Sequence, residues 1–204
     1  MGSVPASDGV YLRDSVRTSV KLLLVGPFAV GKTTFVSTLS EIRPLRTEER
    51  MTQVGALVDD PAGVHDKTTT TVAMDFGRLT LNDHLVLYLF GTPGQRRFTR
   101  LWQDLAHGAL GALVLVDTGR LDRAFEVMDL VERQGLPYAV AINHFEGAAV
   151  FPEDEVREAL DLLPGTPLVT CDARDDVSST RALITLVDHL IALDALSTGS
   201  THDR

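Results

Sequence analysis

Residues 20–33 of this chain read VKLLLVGPFAVGKT, and they are the strongest indication of its fold. Residues 20–25 form a short, nearly continuous apolar run, which is typical of a buried parallel strand. Residues 26–33 match G-x-x-x-x-G-K-[S/T], the pattern of a phosphate-binding loop between a strand and a helix. The two glycines allow backbone angles that a Cβ would forbid, so successive N–H groups can turn inward around an anion.

The loop and the start of the next helix, predicted over residues 31–40, are expected to bind a nucleotide through its phosphates. Lys32 is expected to reach the β- and γ-phosphates, and the Thr33 hydroxyl to ligate Mg²⁺. An accidental glycine-rich turn is the alternative, which the flanking strand and helix disfavour. The predicted phosphate site comprises Gly26, Pro27, Phe28, Ala29, Val30, Gly31, Lys32, Thr33 and Thr34.

Composition restricts what kind of protein this is. The 204 residues, 44% hydrophobic and 23% charged, fit one soluble α/β domain. A formal net charge of −9 disfavours nucleic acid as a partner, because its phosphates attract basic surfaces. The single cysteine, Cys171, permits no intramolecular disulfide, which agrees with a cytoplasmic location. We see no membrane span, secretory signal or prenylation cysteine, so recruitment to a membrane would require a partner.

Apolar runs alternate with helical patterns along most of the chain. Strands are predicted over residues 20–25, 72–81, 85–90, 110–116, 137–142 and 168–171, with helices between and after them. This order predicts a doubly wound sheet of about six strands with helices on both faces, and ligands bind beyond the carboxyl ends of such strands. The short Asn82-Asp83 turn requires one antiparallel strand. We expect one domain over residues 18–196 and disordered tails over 1–17 and 197–204.

Four more segments follow the phosphate loop: TTTTVAMDF at 68–76, GTPGQ at 91–95, NHFE at 143–146 and CDAR at 171–174. Their order resembles that of Ras-like small GTPases, in particular the bacterial MglA-like group and, within it, the conservon-encoded (CvnD-type) nucleotide-binding proteins. The resemblance spans about residues 21–193. It implies a P-loop NTPase with a Ras-like G domain that binds GTP and GDP with Mg²⁺ and hydrolyses GTP slowly.

By this resemblance, residues 68–76 hold the switch I threonine and the strand after it. The spacing Thr-x-x-x-Asp-Phe favours Thr71 as the second protein ligand of Mg²⁺ and the sensor of the γ-phosphate, with Thr70 as the alternative. A threonine run that only enters a strand is the other interpretation. Residues 43–70 are long, charged and weakly patterned, which indicates a mobile functional loop.

Residues 91–95 are similar to the D-x-x-G-Q part of switch II. The resemblance implies that Gly94 offers its N–H to the γ-phosphate and that Gln95 orients the attacking water, so Gln95 and Lys32 are the predicted catalytic residues. Gly91 stands where the pattern has an aspartate that holds Mg²⁺ through water, and its absence removes a negative charge near the metal. MglA-like proteins also lack this aspartate. A Gly-Pro turn is the alternative interpretation.

The last two segments resemble base-recognition loops. NHFE is similar to N-K-x-D, with His144 in place of the lysine and Glu146 in place of the aspartate that accepts two guanine N–H groups. CDAR is similar to S-A-K, whose alanine N–H meets the guanine oxygen. Plain turns are the alternative for both segments. The predicted base site comprises Asn143, His144, Glu146, Cys171, Asp172 and Ala173.

Other polar and aromatic residues receive structural interpretations. Asp117 is expected to act as a turn or cap residue, and Trp102 lies on an apolar helix face that is either core or partner-facing. None of the arginines near the switches is preferred as a catalytic group, and together they form a candidate docking face. These arginines are Arg43, Arg46, Arg50, Arg96, Arg97 and Arg100.

The resemblance also implies partners: a roadblock-type protein acting on the nucleotide cycle and a membrane sensor-kinase-like protein. Two other functions stay open. One is a nucleotide-binding scaffold without useful hydrolysis, because Gly91, His144 and Glu146 depart from the GTPase pattern. The other is an ATP-using P-loop phosphotransferase, which the small domain and the threonine-rich switch disfavour.

Overall fold

The structure is a computed structural model, and it describes residue 12 and residues 14–52, 69–93 and 99–199, with the side chains of 46–52, 69–73, 99–100 and 199 left aside. The strands are β1 Thr18–Val25, β2 Leu45–Thr52, β3 Thr69–Asn82, β4 Leu85–Gly91, β5 Gly111–Val116, β6 Tyr138–Asn143 and β7 Leu168–Cys171. The helices are α1 Lys32–Leu39, α2 Thr99–Ala106, α3 Phe125–Arg133, α4 Glu153–Ala159 and α5 Asp176–Gly199, and a 3₁₀ turn spans Thr118–Arg123.

The strands of the described residues form one sheet in the order β2-β3-β4-β1-β5-β6-β7. All six predicted strands are present, and β3 alone runs against the others, since it pairs antiparallel with both β2 and β4. The predicted fold class, a mostly parallel α/β sheet with one antiparallel strand, is confirmed. The phosphate loop connects the carboxyl end of β1, in the middle of the sheet, to α1.

The seventh strand, β2, lies inside residues 43–70, where the sequence indicates a loop. It pairs with β3 from Leu45↔Phe76 to Thr52↔Thr69. Its sequence, LRTEERMT, carries no apolar alternation because an edge strand is held mainly by backbone hydrogen bonds to one neighbour. Residues 53–68 of the expected loop lie outside the described residues.

Helices cover both faces of the sheet and explain its continuous apolar strands. Along β1, Leu23 and Val25 pack in one core cluster with α2, α3 and α4, whereas Leu22 and Leu24 pack in a second with α1 and α5. Successive side chains of a strand point to opposite faces, so a strand buried on both sides must be apolar throughout. Trp102 is buried in the first cluster, which confirms its interpretation as a core residue.

The described backbone continues a few residues into both segments that are predicted as tails. Helix α5 continues to Gly199, three residues past the predicted domain end. The apolar periodicity stops at Leu190 because residues 191–198 are all exposed, yet this segment is rich in good helix formers. At the other end, the amides of Arg17 and Thr18 both donate to the His84 carbonyl, which ties the end of the predicted N-terminal tail to the β3–β4 turn. None of the described helices is long and apolar enough to cross a bilayer.

Candidate nucleotide site

The phosphate loop has the backbone conformation that its glycines predict. Gly26 and Gly31 have φ values of 152° and 104°, and Ala29 between them has a φ of 65°. A Cβ on Gly26 would lie 2.5 Å from the Leu115 carbonyl oxygen, so the loop cannot accept a side chain there. The Phe35 N–H donates to the Gly31 carbonyl at 2.9 Å, which opens α1 directly at the end of the loop.

The Lys32 ammonium lies over the loop. Its Nζ donates to the carbonyls of Gly26 and Pro27, both at 2.7 Å. Burial lowers the pKa of Lys32 to about 8, and the negative charge of Asp75 opposes this shift. An anion seated in the loop would therefore find a partly desolvated cation beside it, where the electrostatic attraction is strong.

Asp75 is a site residue that the motif comparison missed. Its Oδ2 accepts a hydrogen bond of 2.5 Å from Thr33 Oγ1, the hydroxyl expected to ligate Mg²⁺. In the β3–β4 register, Asp75 lies directly opposite Gly91. A Cβ on Gly91 would come within 3.1 Å of the Asp75 Cβ. A carboxylate from the neighbouring strand thus lies beside position 91, and the glycine there makes room for it.

These oxygen atoms suit a magnesium ion. Mg²⁺ prefers hard oxygen ligands and binds in nucleotide sites through one or two protein groups plus phosphates and water. Thr33 and Asp75 provide a hydroxyl and a carboxylate together beside the phosphate loop. No group of three or more His, Cys, Asp or Glu side chains that could hold a metal by itself occurs in the described part of the chain.

The buried Asn143 side chain joins three segments of the site. Its Nδ2 donates to the Val30 carbonyl of the phosphate loop, and its Oδ1 accepts from the Ala173 amide after β7, both at 2.9 Å. A Cβ on Gly31 would lie 2.5 Å from the Asn143 Nδ2, so Gly31 also clears the way for this contact. The His144 amide donates to the Cys171 carbonyl at 2.7 Å.

The Ala173 amide donates to Asn143 Oδ1 in this structure. Its contact with the guanine oxygen stays a prediction. The next amide, of Arg174, donates to Asp172 Oδ1. The Ala173 amide thus helps to hold the buried Asn143 side chain. Cys171 is buried, and this burial raises the pKa of its thiol to about 12, so it stays neutral.

The rim of the predicted base site is charged. The Arg174 guanidinium donates to both oxygens of Asp172, at 2.9 and 2.8 Å. These hydrogen bonds, and that from the Arg174 amide, hold the pKa of Asp172 at about 2. His144 also acts electrostatically on Asp172, and Glu146 on Arg174, so the two loops lie side by side. His144 and Glu146 themselves are exposed.

A cavity of about 350 Å³ connects the phosphate loop to the NHFE segment. Small-molecule sites have volumes of this order. Phe28 extends from the loop into solvent, 69% exposed, and Asp117 caps the 3₁₀ turn by accepting from the Gly119 amide, as its sequence position predicts. The lining residues are Pro27, Phe28, Ala29, Val30, Asp117, Gly119, Arg120, Arg123, Phe145, Glu146, Gly147 and Ala148.

Arg120 and Arg123 in this lining had no signal in the sequence, because they belong to an irregular turn with no motif. Of the other predicted residues, Thr34 is exposed on α1. The side chains of Thr70 and Thr71 lie outside the described residues, as do Gly94 and Gln95. The same holds for the side chains of all the switch-region arginines except Arg43, which is exposed.

Comparison with known proteins identifies relatives. The family model described as "Conserved hypothetical ATP binding protein" matches residues 24–193. The uncharacterized protein MJ1339 of Methanocaldococcus jannaschii is 32% identical over 129 residues, which are 62% of this chain and 71% of that protein. The crystal structure of the G domain of the T. maritima FeoB iron transporter superposes with a TM-score of 0.59 at 16% identity, covering 84% of this chain and 99% of that one. The last match is one of fold alone.

Proposed function

Since the chain belongs to the family described as "Conserved hypothetical ATP binding protein", a nucleotide-binding P-loop NTPase with a G-domain fold, we propose that it is a small guanine-nucleotide switch. It binds GTP and GDP with Mg²⁺ and hydrolyses GTP slowly. Following the resemblance to MglA-like and CvnD-type proteins, it acts in cytoplasmic signalling with a roadblock-type regulator and a sensor-kinase-like protein, and any recruitment to a membrane is by a partner.

The observation that carries this proposal is the Asn143 side chain. It bonds the phosphate loop at Val30 and the loop after β7 at Ala173, so the segments that would bind the phosphates and the base are held together. Glu146, three residues later, lines the same cavity as the tip of the phosphate loop. One nucleotide would therefore place its phosphates against residues 26–33 and its base near Glu146.

The carboxylate of Glu146 favours guanine. Guanine presents two adjacent N–H donors, at N1 and at the 2-amino group, and a carboxylate accepts both in a bidentate, charge-assisted contact. Adenine has an unprotonated ring nitrogen at the first of these positions, which would face the carboxylate as a second acceptor. A site built to accept hydrogen bonds rejects a ligand that lacks the donors by large factors.

The expected reaction is in-line attack of water on the γ-phosphate, and each residue has a defined task. Lys32 offsets charge on the β- and γ-phosphates, and Gln95 orients the water. Thr33 and Thr71 would hold Mg²⁺, and Asp75 accepts a hydrogen bond from the Thr33 hydroxyl. Mg²⁺, when bound, neutralises phosphate charge that develops during cleavage.

Base choice is tested by displacing a fluorescent GDP analogue from the purified chain with GTP, GDP and ATP. GTP and GDP should compete at concentrations at least about 100-fold below ATP. The matched variant is Glu146→Gln. Its amide would donate to the 2-oxo group of xanthine, so it should lose GDP and gain xanthosine diphosphate. Tight ATP binding with weak GTP binding would overturn the guanine assignment.

Hydrolysis is tested separately by single-turnover cleavage of GTP. Slow cleavage that Lys32→Ala abolishes supports the switch. Absence of cleavage, alone and with a roadblock-type partner, would leave a nucleotide-binding scaffold as the function. The family description favours an ATP-using enzyme as the second candidate, and cleavage of ATP in preference to GTP would select it.

A further inference from the structure

Helix α5 carries a line of exposed aliphatic side chains on the face that points away from the sheet. Val177, Ile184 and Ile191 are 63%, 52% and 62% exposed, whereas Leu183 and Leu186 of the same helix are buried in the core. The three exposed residues are seven positions apart. Seven residues fall about 20° short of two full helical turns, so these side chains form one nearly straight stripe.

Two charged residues belong to the same stripe. Arg181 and Asp188 are exposed, and each lies four residues after an aliphatic member of the stripe, Val177 or Ile184. Neither has an oppositely charged residue three or four positions away in α5. Seven residues correspond to about 10 Å along a helix, which is too far for the two to pair with each other. Neither side chain takes part in an ion pair in the described part of the chain.

The stripe is complementary to a reversed copy of itself. If a second α5 lies antiparallel about a two-fold axis through Ile184, that residue meets its own copy and Val177 faces Ile191. In the same register Arg181 lies on the same side of the contact as Asp188 of the other copy and is offset from it by one residue, about 1.5 Å along the axis, so the two can pair, and the two-fold axis makes this ion pair twice. Self-complementarity of one surface patch is what a two-fold symmetric dimer requires.

We propose that this stripe of α5, residues 177–191, is the contact surface of a homodimer in which two copies of the chain pack their last helices antiparallel. A contact through a single helix face is small, so the dimer forms and dissociates with protein concentration. The stripe shares no residue with the candidate nucleotide site, and dimerisation does not depend on the proposed guanine specificity.

Sedimentation velocity of the full chain over a range of micromolar to near-millimolar concentrations tests the contact. The weight-average mass should rise towards twice that of one chain, and Ile184→Lys should abolish the rise. Because Ile184 is exposed, this change should leave folding intact, which circular dichroism checks. The matched control is Leu163→Lys, a substitution at a residue that is 72% exposed outside α5 and that should dimerise as the parent does.

Charge reversal tests the register. Arg181→Asp or Asp188→Arg alone places like charges opposite each other twice, and should weaken the dimer at least about 10-fold. The double variant, and an equimolar mixture of the two single variants, should recover dimerisation to within about threefold. A parent that stays monomeric throughout, an Ile184→Lys variant that still dimerises, or single charge variants that dimerise as well as the double variant would each overturn the proposal. Nucleotide binding in all these variants should equal that of the parent.

Discussion

The Thr33–Asp75 contact places a carboxylate from β3 beside the hydroxyl of the phosphate loop, across from a glycine in β4. We predict that Asp75→Asn weakens Mg²⁺-dependent nucleotide binding by about 10- to 100-fold, as is usual when a partner of a metal ligand loses its charge. The measurement is the dissociation rate of a fluorescent nucleotide during a Mg²⁺ titration. Asp83→Asn, in the exposed β3–β4 turn, is the control and should behave as the parent does.

A relocation experiment distinguishes a local charge effect from a general loss of stability. The double variant Asp75→Gly with Gly91→Asp moves the carboxylate from β3 to the directly opposite position on β4. It should recover part of the Mg²⁺ dependence of nucleotide binding. If Asp75→Asn retains the full Mg²⁺ response, the carboxylate has no part in metal binding.

The lowered pKa of Lys32 predicts a pH dependence. Burial places this pKa at about 8 in the nucleotide-free protein, below its ordinary value of 10.5. The unfolded chain then binds more protons between these values, so the free protein gains stability as the pH rises through this window. Nucleotide binding has the opposite trend, because phosphates favour the charged amine and Lys32 takes up a proton on binding.

Nucleotide affinity should therefore fall by up to about 10-fold per pH unit above pH 8. Displacement titrations between pH 7 and 9 measure this, and calorimetry in two buffers of different ionisation enthalpy should detect the proton uptake. Lys32→Met binds more weakly but should show no such slope. A parent affinity that is constant over this range contradicts the assignment.

Among the elements, the loops after β1, β6 and β7 meet at Asn143. We predict that Asn143→Ala lowers the free energy of unfolding by about 2–4 kcal/mol, because it leaves the Val30 carbonyl and the Ala173 amide buried without partners. Chemical denaturation measures the loss. Asn82→Ala is the matched control, since the Asn82 side chain accepts one exposed hydrogen bond from His84, and its removal should cost less than about 1 kcal/mol. Equal losses in the two variants would refute the role of Asn143.

The six strands predicted from the sequence share a physical signal, an apolar run that is buried on one or both faces. β2 lacks this signal because its pairing is a property of the backbone, and the end of α5 lacks it because the side chains of residues 191–198 are exposed rather than packed in the core. The phosphate loop was predictable because its glycines, lysine and threonine are contiguous in the sequence and form a recognisable motif. Asp75 was not, because its role depends on the strand opposite, although counting back from the Asn82-Asp83 turn places it near Gly91.

In the sequence, the segment with the predicted γ-phosphate contact directly precedes a helix that packs in the core. Gly94 and Gln95 precede α2, and α2 buries Trp102 in the core cluster that also contains Val25, next to the phosphate loop. Trp102 is the chain's single tryptophan. If the γ-phosphate reorders the segment before α2, the surroundings of this indole should change with the nucleotide.

We therefore predict that tryptophan emission differs between the protein saturated with GDP and the protein saturated with a non-hydrolysable GTP analogue. After addition of GTP, the tryptophan emission should start at the level of the analogue-bound protein and move to that of the GDP-bound protein at the rate of phosphate release. The reason is that hydrolysis removes the γ-phosphate contact on which the difference in emission depends. Trp102→Phe should remove the signal while nucleotide binding persists, since it replaces one large apolar ring by another. Identical spectra in the two saturated states would show that the α2 core does not respond to the γ-phosphate, and would confine any switching to segments away from the first core cluster.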